Sequence, residues 1–134
     1  MIVISEEAAD RMEQWYYEAV AQGARPLRSW SRQGTLVTSM MLDEVTPAMQ
    51  VWSEDVFSPV TGITAYETFD QALAWTNASR YGLQAGVFTT QWGLALRAAH
   101  VLDVGRVVIN DAPSNRADNT PYEGVKGQNM LCNR

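Results

Sequence analysis

Residues 60–110 read VTGITAYETFDQALAWTNASRYGLQAGVFTTQWGLALRAAHVLDVGRVVIN, and this stretch decides the fold. Three short apolar runs and two segments of helical periodicity alternate along it, at 60–66, 68–77, 83–89, 91–102 and 106–110. Strand, helix, strand, helix and strand with short connections predict right-handed crossovers and a parallel sheet with covering helices. We therefore predict an α/β fold.

Both helices of this stretch carry local signals. Thr68 and Gln71 have the spacing of a capping box, which predicts a helix start. Gly105 follows the second helix, as a terminating glycine does. The periodicity predicts core-facing residues at Phe69, Ala72, Leu73 and Trp75 in the first helix and at Trp92, Leu96, Ala99 and Leu102 in the second.

The first half of the chain begins with a well-marked helix at 6–22. Ser5 is a natural N-cap, acidic residues follow it in the first turn, and Gly23 ends the helix. The spacing predicts one buried stripe, made of Ala8, Met12, Trp15, Tyr16 and Ala19. Two strands are predicted next, at 25–30 and 36–42, with Gly34 in the turn between them and a loop at Pro47.

Composition limits the possible functions. The 134 residues suit one domain, and a net charge of -5 disfavours nucleic acid and anionic membrane surfaces as partners. No apolar run approaches the ~20 residues of a membrane helix, and the N-terminus lacks the basic region of a signal peptide. A single cysteine fits a reducing compartment. We expect a cytoplasmic protein.

The side chains that most often carry chemistry are sparse. His100 has no metal-ligand partner at suitable spacing, so we expect a helix-surface or core-edge role for it and no metal site. Cys132 stands in a polar tail without a base nearby in sequence. No glycine-rich phosphate loop occurs, and each adjacent acidic pair, at 43–44 and 54–55, should point to opposite faces. We predict no catalytic residue in this chain. Trp15, Tyr16, Trp75 and Trp92 are interpreted as packing residues.

Six segments, taken together and in order, resemble the last part of the catalytic domain of aldehyde dehydrogenases. The strongest is EDVFSPV at 54–60, which is similar to the family's E-E-I-F-G-P-V, read with PYEGVK at 121–126. The others are ISEEAA at 4–9, QGAR at 22–25, YGLQAGVFT at 81–89 and GRVVIN at 105–110. The resemblance covers about residues 4–126, and the tail at 127–134 looks unrelated.

The resemblance implies a cofactor site. In such enzymes the second acid of E-E-I-F binds the nicotinamide ribose of NAD(P), and the phenylalanine packs beside the nicotinamide; these positions are Asp55 and Phe57 here. Aspartate is shorter than glutamate by about 1.5 Å, a difference that a hydrogen bond cannot absorb without a backbone shift. The resemblance also implies that residues 111–120 border an aldehyde tunnel, although they read as a polar surface loop.

The same resemblance implies that the nucleophilic cysteine, the glutamate base and the dinucleotide-binding domain precede the segment matched here. We therefore expect a truncated relative that is inactive on its own and binds no cofactor in isolation. An alternative is an assembly module, because removal of the preceding half should expose apolar surface. Its partner would be a second copy or a complementary protein half that completes a two-chain enzyme. A weaker alternative is residual nucleotide binding at Asp55 and Phe57.

Overall fold

The computed structural model describes residues 1–114 and 125–126. The chain divides into two compact units, one of residues 1–65 and one that begins at Tyr66. Each unit combines helices with short strands, and this mixed architecture confirms the α/β fold class. The prediction that residues 1–134 form one domain stays a prediction.

The first unit holds two helices and five short strands. In chain order they are α1 (Glu6–Ala21), β1 (Arg25–Pro26), β2 (Arg32–Gln33), β3 (Leu36–Val37), β4 (Met40–Asp43), α2 (Gln50–Ser53) and β5 (Val60–Gly62).

Helix α1 forms as its sequence predicts. The Ser5 hydroxyl accepts a hydrogen bond from the Ala8 backbone N–H at 3.2 Å, which satisfies one free donor of the first turn. Gly23 has a φ of 105°, a conformation that favours glycine and ends the helix. The predicted stripe is buried, except that Tyr16 is half-buried.

The strands of this unit are shorter than predicted. Gly34, with a φ of 58°, forms the turn of a hairpin between β2 and β3, as expected. The run at 36–42, however, is interrupted at Thr38 and Ser39, so that β3 and β4 belong to different sheets. β4 is the central strand of a three-stranded sheet, antiparallel to β1 and parallel to β5. This pairing is long-range and leaves no local signal in the sequence.

The core of the first unit lies between α1 and the mixed sheet. Its largest fully buried side chains are Met12, Val37, Met40, Leu42, Val45 and Met49. Tyr16, Trp30, Val51, Trp52 and Val60 pack around this cluster. The short helix α2, for which the sequence predicted no helix, attaches the chain to the core through Met49 at its N-terminus.

The second unit contains α3 (Phe69–Ala78), β6 (Gln84–Val87), α4 (Trp92–Val101) and β7 (Arg106–Ile109) among its described residues. β6 and β7 pair in parallel with α4 as the crossover, which confirms that β-α-β unit. The prediction of one parallel sheet for all three strands at 60–110 is wrong, because β5 is hydrogen-bonded to β4 in the first unit's sheet. The Thr68 hydroxyl accepts from the Gln71 N–H at 3.2 Å and confirms the cap of α3.

The predicted buried face of α4 is wrong at Trp92, Leu96 and Ala99, which are exposed, and is confirmed at Leu102. The buried residues are Ala95 and Ala98, with Leu102 just past the helix end, whereas Trp92 is 73% and Leu96 42% exposed. The buried face lies about a quarter turn away from the predicted one at 3.6 residues per turn. The small alanine side chains let the helix approach Leu73, Val87 and Val107 closely. This close packing decides which face of α4 is buried, and the large side chain of Trp92 is left exposed. Trp92 is therefore not a packing residue within this unit, whereas Trp15 is buried and Trp75 half-buried. In the described part of the chain, no helix has both the length and the apolar character needed to cross a membrane.

Candidate functional site

The segment that joins α2 to β5 carries the two residues predicted to bind cofactor, and we call residues 54–59 the cofactor loop. Its first end is tied to α2, because the Glu54 N–H donates to the Gln50 carbonyl at 3.0 Å. Its last end joins the sheet, because the Pro59 carbonyl accepts from the Met40 N–H at 2.8 Å. Met40 is 2% exposed, so the loop is anchored to the buried core at that end.

Two consecutive three-residue turns shape the second half of the loop. The Ser58 N–H donates to the Val56 carbonyl at 2.5 Å, and the Val60 N–H donates to the Ser58 carbonyl at 2.7 Å. Phe57 and Pro59 are the central residues of these turns, which commonly occur next to strand ends. The ring of Pro59 fixes its φ near the value that such a turn requires. The backbone that presents Phe57 is therefore held by local hydrogen bonds.

Exposure alternates along the loop with a period of two. Glu54, Val56 and Ser58 are half-buried, while Asp55 and Phe57 are exposed. Phe57 is 80% exposed, a high value for an aromatic side chain. Asp55 and Phe57 are therefore the two side chains of the loop that are open to solvent. The alternation also agrees with the expectation that Glu54 and Asp55 point to opposite faces.

This arrangement suits binding of a planar, hydroxyl-bearing molecule. A carboxylate accepts hydrogen bonds from two neighbouring hydroxyls, and an exposed phenylalanine ring offers a surface for stacking. The described residues contain no cluster of three or more His, Cys, Asp or Glu side chains that could hold a metal ion. His100 is exposed near the C-terminus of α4, as expected of a helix-surface residue. Cys132, the loop residues 115–120 and the motif at 121–124 lie outside the described residues.

The acidic pair at 43–44 has a structural role that sequence reasoning did not assign. Asp43 at the end of β4 pairs with Arg25 of β1, with 2.5 Å between Oδ2 and the guanidinium Nη2. The hydrogen bond from Arg25, aided by the Glu44 backbone N–H, lowers the pKa of Asp43 below its ordinary value. Glu44 has a φ of 59° and lies 3.9 Å from the same guanidinium. The pair therefore joins two strands.

A second arrangement missed in the sequence lies in the second unit around Lys126. Its ammonium donates to the carbonyls of Asn77 at 2.9 Å and Ser79 at 3.2 Å, at the C-terminal end of α3. The Asn77 side chain donates to the Val101 carbonyl at 2.7 Å and accepts from the Asp103 N–H at 2.8 Å. A cation at the C-terminal end of a helix satisfies free carbonyls there. This network attaches residues 125–126 to the unit, and its long sequence separations leave no local signal.

Comparison with known proteins agrees with the resemblance. The sequence profile of the aldehyde dehydrogenase family matches residues 2–129, which reaches past Lys126. The 3-sulfolactaldehyde dehydrogenase of Priestia megaterium is 39% identical over 118 residues, 88% of this chain and 25% of that protein. Aspartate-semialdehyde dehydrogenase 1 of Pseudomonas canavaninivorans is 37% identical over 124 residues, 92% of this chain and 26% of that protein.

Solved structures show the same relationship. The NADP-dependent glyceraldehyde-3-phosphate dehydrogenase of Bacillus halodurans C-125, solved with NADP, is 36% identical with a TM-score of 0.92. Aldehyde dehydrogenase 21 of Physcomitrella patens is 35% identical with a TM-score of 0.90. Each alignment covers 96% of this chain and 27% of the solved chain, so the chain spans about a quarter of the length of its relatives. The resemblance indicated by 54–60 and the other segments is confirmed, and the chain belongs to the aldehyde dehydrogenase family.

Proposed function

We propose that this chain contributes part of the cofactor site of an NAD(P)-dependent aldehyde dehydrogenase and oxidises no aldehyde by itself. The observation that carries the proposal is the exposure of Asp55 and Phe57 on a loop whose two ends are tied to α2 and β4. An exposed phenylalanine ring contributes little hydrophobic stabilisation until another molecule covers it and removes its apolar surface from water. Family membership supports a nicotinamide dinucleotide as that molecule.

The residue types present fit such a cofactor, with the shorter reach of Asp55 met by a shift of the loop backbone towards the ribose. Phe57 offers a ring face for the planar nicotinamide, and Asp55 offers a carboxylate for the ribose hydroxyls. When bound, the cofactor accepts a hydride, which is the chemistry that aldehyde oxidation requires. The role of this chain is to bind and orient the cofactor, because the loop carries no cysteine that could serve as the family's nucleophile. Nothing in the two residues favours NAD over NADP.

Catalysis by the chain alone is not part of the proposal. Its one cysteine, Cys132, lies beyond the matched residues 2–129, and its one histidine is exposed on α4. We expect the purified 134-residue chain to form no NADH or NADPH above the buffer rate with any aldehyde, and an NADH fluorescence titration to stay flat up to millimolar concentration. Aldehyde-dependent formation of NADH or NADPH by the pure chain would overturn this part of the proposal.

A second candidate function is that of an assembly module, and the exposed face of α4 favours it. Trp92 and Leu96, one helical turn apart, are 73% and 42% exposed. Exposed apolar residues that adjoin one another mark interaction surfaces. The partner would be a second copy of the chain or a complementary protein half, with which Asp55 and Phe57 would complete a site.

Light scattering over a concentration series tests this candidate. We expect a mass above that of the monomer that falls in the variant Trp92→Ser. A monomer at every concentration would exclude self-association and leave only the complementary half, which must then be found as a copurifying protein. The net charge of -5 and the single cysteine support a cytoplasmic location and a protein partner over nucleic acid or a membrane surface.

A further inference from the structure

The first unit contains a concave site beside the β2–β3 hairpin, and we call it the hairpin pocket. Its volume is about 460 Å³, within the range of small-molecule sites. Its polar lining residues are Arg28, Ser31, Gln33, Thr38 and Ser39, and its apolar ones are Met1, Leu36 and Val37. It is separate from the cofactor loop, since none of the residues 54–59 lines it.

Of three nearby arginines, one has no anionic partner among residues 1–114 and 125–126. Arg25 is paired with Asp43, and Arg32 is paired with Asp10 at 2.6 Å and Glu13 at 2.9 Å. The Arg28 side chain forms no hydrogen bond or ion pair with any residue that the structure describes. It is exposed and lines the pocket. A guanidinium in this position presents its planar set of N–H donors to a ligand.

The pocket wall adds further donors and no acid. Thr38 fixes the geometry, because its Oγ1 accepts from the Ser31 N–H at 2.9 Å and its own N–H donates to the Ser31 carbonyl at 3.1 Å. The hydroxyls of Ser31 and Ser39 and the Gln33 amide stay available beside Arg28. Among the residues that the structure describes, no acidic one lines the pocket, although the net charge of the chain is -5. The neighbouring carboxylates of Asp10 and Glu13 are occupied by Arg32, and Glu6 lies near Gly34 at the hairpin turn.

We propose that the hairpin pocket binds the phosphate group of a small molecule. Arg28 would contact two phosphate oxygens in a bidentate pair, and the Ser31 and Ser39 hydroxyls would donate to the remaining oxygen. Phosphate fits this donor set better than carboxylate, because it offers three acceptor oxygens and carries more charge. The site lies apart from Asp55 and Phe57, so it stands whether or not the proposed function holds.

The test is a titration of the isotope-labelled 134-residue chain with inorganic phosphate, followed by amide NMR shifts at constant ionic strength. We expect saturable shifts confined to residues 28–39. The variant Arg28→Gln should weaken binding by at least about tenfold, the loss expected for a charge-assisted bidentate contact. Arg28→Lys keeps the positive charge but loses the bidentate geometry of the guanidinium, so its phosphate affinity should lie between those of the wild type and Arg28→Gln.

Arg97→Gln is the matched control, because it removes one surface charge in the other unit, where Arg97 pairs with Asp70. It should leave phosphate binding unchanged. Two results would show that phosphate responds only to the overall charge of the protein, and would overturn the proposal. One is amide shifts that never saturate, and the other is an equal loss of phosphate affinity in Arg97→Gln and Arg28→Gln. Equal affinity for acetate and phosphate would overturn the assignment to a phosphate group. Unchanged amide spectra of the free variants establish that each one is folded.

Discussion

Replacement of Phe57 by alanine should separate ligand binding from stability. Complete burial of a phenylalanine side chain contributes about 1.5–3 kcal/mol. The ring is 80% exposed, so only about a fifth of that contribution is present in the folded chain, or ~0.3–0.6 kcal/mol. Leu42→Ala, at a position that is 0% exposed, should instead cost about 2–5 kcal/mol. Phe57→Ala should therefore be close to neutral for folding.

Urea denaturation followed by tryptophan fluorescence measures both values. Phe88→Ala is the matched control, because that ring is of the same type and is 71% exposed. Both phenylalanine variants should lose under about 1 kcal/mol, well short of Leu42→Ala. A loss above about 1.5 kcal/mol in Phe57→Ala alone would show that the ring packs against the protein, and the argument that it is presented to a ligand would fail.

Three further perturbations test the fold. Gly82→Ala places a Cβ 2.8 Å from a backbone oxygen and should lower the free energy of unfolding by about 1–3 kcal/mol, measured by urea denaturation. Gly93→Ala is the control: its Cβ meets no described atom within 4 Å, so the variant should be neutral or stabilised by up to about 1 kcal/mol. Ser5→Ala removes the cap of α1 and should lower the free energy of unfolding by about 1 kcal/mol; an unchanged urea midpoint would refute the capping role. Asp43→Asn removes the carboxylate that pairs with Arg25. Because folding lowers the pKa of Asp43, the wild type should have a higher free energy of unfolding than the variant, fully so above pH ~4, and this excess should vanish as the pH falls through the folded pKa. An excess in unfolding free energy that grows towards low pH would contradict the pairing.

Local signals predicted the three longer helices, α1, α3 and α4, but not the short helix α2. The caps at Ser5 and Thr68 depend on bonds within three residues, so the sequence contains both partners of each. The strands were harder, because the pairing of Met40 with Val60 joins residues that are distant in sequence. The buried face of α4 was misassigned because size favoured Trp92, while packing against the parallel pair requires the small side chains of Ala95 and Ala98.

The candidate site could be predicted only through the family resemblance. Composition and spacing alone gave Asp55 and Phe57 no role, and their shared exposure depends on turns formed by backbone hydrogen bonds. The hairpin pocket left no motif at all, because whether Arg28 has a partner in the described part of the chain depends on which carboxylates its neighbouring arginines engage. The role of Lys126 likewise depends on contacts with Asn77 and Ser79, far away along the chain.

The central claim, that Asp55 and Phe57 belong to a cofactor site, is tested most directly by a chimaera. The host is the NADP-dependent glyceraldehyde-3-phosphate dehydrogenase of Bacillus halodurans, with this chain in place of the 27% of that enzyme to which it corresponds. The account predicts NADP reduction with glyceraldehyde-3-phosphate, and a KM for NADP that rises roughly 2- to 10-fold with Phe57→Ala, the range of an aromatic stacking contact. A folded, active chimaera whose KM for NADP is unchanged by Phe57→Ala would contradict it.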